Sequence, residues 1–158
     1  MTMGFLHKLK LRFSPPRIDD PDFGHLLFMY IANAPARSYW EGQWKFLPTG
    51  TQISIALPGD EHGPRPEARD FYLGLPARFG TVLEAARPSL QKVCRELLGL
   101  ELPQDVFTVL ELAGIDVADL NAQPLKWDIA FETTSGKWLG IVVPFVGDVP
   151  GKATVDTD

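Results

Sequence analysis

The sequence predicts an α+β fold: a mostly antiparallel sheet in two meanders, with a long kinked helix or stacked helices between them. Three observations carry that expectation. Residues 38–46 and 51–57 alternate apolar and polar with a period of two, residues 71–97 place apolar side chains three and four apart, and residues 127–143 alternate again. Strand runs and helical runs are segregated and do not interleave, which separates α+β from α/β. A chain of 158 residues fits a single domain, expected over residues 19–158, with residues 1–18 as a basic N-terminal arm or leading strand.

The N-terminal segment holds Lys8, Lys10, Arg12 and Arg17 and no acid, a local charge of +4. Its amphipathic pattern could touch an anionic membrane surface, but a leading strand or an arm is the preferred expectation. It lacks the long apolar stretch and small-residue cleavage site of a signal peptide. "SPPRIDDPDFG" at 14–24 reads as a turn-rich entry, because its three prolines forbid helix. "HLLFMYIA" at 25–32 is short and rich in large apolar residues, so a buried strand is expected.

In "SYWEGQWKF" (38–46), Trp40, Gly42, Trp44 and Phe46 fall on one face and Glu41, Gln43 and Lys45 on the other. Two tryptophans four apart on a strand stand roughly 13 Å apart, too far to sandwich one ring-shaped ligand. Each is expected to pack separately under the helix, and Gly42 to admit a close approach. "TQISIAL" (51–57) completes the first meander.

From Phe71 the apolar positions run through Leu75, Phe79, Val82, Leu83, Ala86, Leu90, Val93, Cys94 and Leu97. They keep one face across Pro76 and Pro88, and Gly99 sits where a helix would end. "DVFTVLELAGIDV" (105–117) is long enough for a helix, but its β-branched residues favour strand. "WDIAFETTSGKWLGIVV" (127–143) reads as a hairpin turning at Ser135-Gly136, and "GKATVDTD" as a short edge strand.

Composition bounds the function. Apolar residues at 45% and charged residues at 22% exclude a disordered chain. Beyond residue 18, 11 basic side chains face 20 acidic ones, a local charge of −9. With no basic stripe interleaved with aromatics, nucleic acid is not an expected partner. No apolar run approaches the ~18 residues of a membrane-spanning helix, so integral membrane association is not expected. Cys94 is the only cysteine, which excludes an intrachain disulfide, and it reads as a small buried hydrophobe in a reducing cytoplasm.

Chemistry-bearing motifs are sparse. His7, His25 and His62 lie far apart without metal-ligand spacing, and Asp19, Asp20 and Asp22 read as solvated turn residues. Neither a nucleophile elbow, a P-loop nor a dinucleotide fingerprint occurs. Glu41, Asp128 and Glu132 could face one another as paired carboxylates on the sheet. No catalytic, metal-ligating or cofactor-binding residue is expected on this basis, and a non-enzymatic binding protein is preferred. An acidic body suits a basic protein partner, with Glu41, Asp60, Glu61 and His62 as the side chains that would meet it. A small-molecule binder or undetected enzyme, or a self-associating accessory domain forming a homodimer, are the alternatives.

"DFGHL", "WEGQW", "ISIAL", "RDFYLGL" and "WDIAFETTSGKWLGIVV" together resemble a bacterial group of small uncharacterised α+β domains. Some members of that group are immunity-like partners of polymorphic toxins. The resemblance covers most of residues 20–145 and implies a basic toxin domain as partner, with no catalytic motif to carry over.

Overall fold

The computed structural model describes residues 4–157. Residues 1–3 of the expected N-terminal arm and Asp158 of the expected edge strand lie outside them. The fold is α+β, and its strand pairings are mostly antiparallel. The chain divides into two compact units, Met1–Leu73 and Gly74–Asp158, with the division inside one long helix. Among the described residues no helix is long and apolar enough to cross a membrane.

The first unit opens with helix α1 (Phe5–Phe13), where an arm or leading strand was expected. Leu11 is buried and His7, on the same side of the turn, pairs with Glu61, so packing of that side holds the segment as helix. Strand β1 (Arg17–Asp20) follows, so the entry expected to be all turn contains a strand. Pro15 and Pro16 precede that strand and Pro21 sits in the turn after it, where neither removes a ladder hydrogen bond. The Asp20 carboxylate closes the turn by accepting the N–H groups of Asp22 and Phe23 at 2.8 and 3.1 Å.

Strands β2 (Gly24–Met29), β3 (Tyr39–Phe46) and β4 (Thr51–Asp60) continue the sheet in the order β1-β2-β3-β4. A two-residue strand, β5 (Gly63–Pro64), folds back on β4. Phe23, Leu26, Phe28, Trp40, Phe46, Ile53, Ile55 and Leu57 fill the core on one face. The two tryptophans part company, as their spacing requires. Trp40 is fully buried against Phe28, and its indole N–H donates to the Asp60 carbonyl at 2.8 Å. Trp44 packs edge-on against Phe23 and Tyr72. Gly42 admits β2: a Cβ there would stand 2.7 Å from the His25 carbonyl oxygen.

Helix α2 (Pro66–Val93) runs unbroken through both prolines. Its first turns belong to the first unit, where the Tyr72 hydroxyl donates to the Ala56 carbonyl at 2.8 Å. Its remainder carries the core stripe of the second unit, Leu75, Phe79, Val82, Ala86, Leu90 and Val93. Pro76 and Pro88 lie off that stripe, half-buried and exposed. A wider turn over Cys94–Leu98 ends the helix at Gly99, whose φ of 65° is the left-handed C-cap the sequence predicts. Cys94 is buried and its thiol is pushed up by that burial, whereas the turn swings Leu97 off the stripe to 41% exposure.

Residues 105–117 satisfy both of their competing signals. A short 3-10 turn over Val106–Thr108, capped by Asp105, leads into strand β6 (Leu110–Asp119). Strands β7 (Lys126–Thr133), β8 (Leu139–Val146) and β10 (Thr154–Thr157) pair in the order β6-β7-β8-β10, and the short β9 (Val149–Pro150) pairs with β8. The hairpin and the edge strand are where the sequence places them. Trp127 stacks on Phe145 at 4.5 Å and donates its N–H to the Gly147 carbonyl. Arg87 ties the segment before β6 to the helix by donating to the carbonyls of Pro103 and Gln104.

Candidate functional site: an acidic sheet face

Alternation puts Leu112, Ile115, Val117, Trp127, Ile129, Phe131, Leu139, Ile141 and Val143 in the core of the second unit. Their neighbours in sequence therefore form its outer face, and the strand register sets them in rows. Glu111, Glu132, Gly140 and Asp156 make the first row across β6, β7, β8 and β10. Gly114, Ala130, Val142 and Thr154 make the second, and Asp116, Asp128 and Pro144 the third. A bulge between Leu112 and Gly114 brings Glu111 and Asp116 onto the same side.

Five carboxylates thus stand in the rows on either side of Gly114, Ala130, Val142 and Thr154. Asp116 stands directly opposite Asp128, and Glu111 opposite Glu132, with Cβ atoms roughly 5 Å apart in such pairs. Among the described residues none of the five takes part in an ion pair; the bridged acids are Asp19, Asp20, Asp22, Glu61, Glu67, Glu84, Glu101 and Asp148. Trp138 folds over Gly140, where an added Cβ would meet its ring at 3.1 Å and Asp156 Cβ at 3.8 Å. An aromatic ring, 37% exposed, therefore lies within the first row of acids.

The crowding shows in the acids themselves. Burial, then the charge of Asp116, pushes the Asp128 carboxyl up to about 6. Asp116 meets more solvent, yet the surrounding sheet still raises its carboxyl, against a hydrogen bond from the Val117 N–H. The pair is a place where negative charge is held at a cost. Charge is also unequal between the units. The first has eight basic and eight acidic side chains, and the second has seven and twelve.

The residues expected from sequence lie in the first unit. Glu41 is half-buried on the outer face of β3, opposite Leu27 and Ala56, as the alternation requires. Asp60, Glu61 and His62 share the β4–β5 turn, where the Asp60 carboxylate accepts the His62 N–H and Glu61 pairs with His7 of α1. The structure brings those three together and leaves Glu41 four residues back along the paired strands. Of the carboxylates considered with Glu41, Asp128 stands opposite Asp116 and Glu132 opposite Glu111, because register and not strand facing decides the neighbour.

The Asp19–Asp22 turn also differs from its expected solvated form. Arg69 donates both terminal nitrogens to Asp20 and one to Asp22 at 2.7 Å, and stacks over Phe23. Burial alone would raise the Asp20 carboxyl, but Arg69 and the two backbone N–H groups overcome it and hold it below the usual range. Among the described residues no group of three or more His, Cys, Asp or Glu is placed to hold a metal ion. Comparison of the chain with protein-family models, curated proteins and solved structures gives no match.

Proposed function

We propose that this is a binding protein for a basic protein partner, seated on the outer face of β6, β7, β8 and β10. One observation carries the reading: five carboxylates share that face, none of them in an ion pair among the described residues and two pairs directly opposed, with Lys126 standing one row beyond opposite Asp119. Opposed like charges destabilise a sheet, so a face that keeps them is better matched to a partner's lysines or arginines than to solvent. Trp138 adds an aromatic surface on which a cationic side chain gains further attraction. Within this reading the resemblance to immunity-like domains supports a basic toxin domain as the partner class.

The test is capture from the source cell's lysate by tagged protein at low salt, with a high-salt control. A second bait carries Asp128→Asn, Glu132→Gln and Asp156→Asn. The reading expects a basic protein, held stoichiometrically by the native bait, released by salt and missing from the variant. Equal recovery on both baits would place the partner elsewhere on the molecule and overturn it.

A further inference from the structure

Helix α1 is joined to the first unit by one side only. Leu11 is buried, and His7 pairs with Glu61 of the β4–β5 turn. At 100° per residue these two lie together, and the opposite side collects Phe5, Leu6, Leu9 and Phe13 in one stripe. Phe5, Leu6 and Phe13 are 75, 80 and 74% exposed, which is unusual for three large apolar side chains on nine residues. Lys8 and Arg12 run along one flank of the stripe and Lys10 along the other. The Arg12 guanidinium lies 5.5 Å from the centre of the Phe13 ring, at the boundary between the charged and apolar zones.

We infer that α1 is an interfacial anchor that seats the first unit on an anionic lipid bilayer. The stripe enters the boundary between headgroups and acyl chains, and Lys8, Lys10 and Arg12 meet the lipid phosphates. Charge complementarity selects this occupant over a second copy of the chain. Two copies joined stripe to stripe would bring three cations of each against three of the other. With Leu11 and His7 held to the unit, the stripe stays outward, so the anchor is ready before contact.

Flotation of the full chain with phosphatidylglycerol–phosphatidylcholine vesicles, and with phosphatidylcholine alone, tests the inference at low and high salt. Binding is expected to the mixed vesicles only and to weaken as salt rises. A stripe variant (Phe5→Ser, Leu6→Ser, Phe13→Ser) and a flank variant (Lys8→Gln, Lys10→Gln, Arg12→Gln) should each lower the partition at least about tenfold. All six substituted side chains are exposed and Leu11 is kept, so circular dichroism and thermal midpoint should match the native protein. Absence of binding to anionic vesicles, or full binding by either variant, would overturn the inference. So would a dimer in light scattering that the stripe variant splits and that binds no vesicles.

Discussion

Replacing Asp128 by Asn should make the protein more stable at neutral pH and leave it unchanged in acid. Asn keeps the shape of the side chain and removes the charge that Asp116 opposes. The Asp128 carboxyl rises from 3.8 to about 6 in the folded protein. About two pH units correspond to a ceiling of about 3 kcal/mol, and screening on a solvent-facing sheet reduces this to roughly 1–2 kcal/mol. The sign follows from proton counting. Between the unfolded and folded values the folded state binds more protons, so stability falls as pH rises through this window. Above it the penalty is complete, and below it the penalty vanishes. Urea unfolding of native and variant proteins at intervals from pH 4 to pH 7 reads the difference directly. Acids that behave alike in both proteins, Asp20 among them, cancel. A difference that stays constant across that range, or a variant less stable than native at pH 7, would refute the reasoning.

Three further outcomes follow from the packing. Gly42→Ala should cost about 1–3 kcal/mol in urea unfolding, because its Cβ would meet the His25 carbonyl at 2.7 Å in a strand that cannot yield. Arg69→Gln leaves the 7%-exposed Asp20 carboxylate without its cation, so a loss of about 2–4 kcal/mol is expected at pH 7. That loss should shrink as pH falls through the depressed Asp20 value, where the native pair also dissolves. Tyr30→Phe should be neutral or stabilising by about 1 kcal/mol, since the Tyr30 hydroxyl is buried with no hydrogen-bond partner among the described residues.

Periodicity made the strands of residues 39–57, the long helix and the 127–143 hairpin legible, since each buries one face and repeats it every two or every three to four residues, while a short apolar run marked the strand before them. It failed where local and tertiary signals competed. Nothing local separates a basic amphipathic helix from an arm in residues 5–13, and the proline-rich entry concealed β1. The acidic face was half legible. Alternation shows that Asp128 and Glu132 point outward, but their partners Asp116 and Glu111 depend on a bulge and a register no single strand encodes. Trp138 gave no signal of its own, because its place over Gly140 depends on how β8 meets the turn before it.

The measurement that decides most is calorimetric affinity for a captured basic partner, compared between two charge-neutralised proteins. One carries Asp128→Asn, Glu132→Gln and Asp156→Asn on the sheet face; the other carries Glu41→Gln, Asp60→Asn and Glu61→Gln in the first unit. The sheet-face protein is predicted to bind at least about tenfold more weakly, as expected when unpaired acids meet cations, while the other stays near native affinity. Native affinity in the sheet-face protein, with the loss falling on the first-unit protein, would contradict the account.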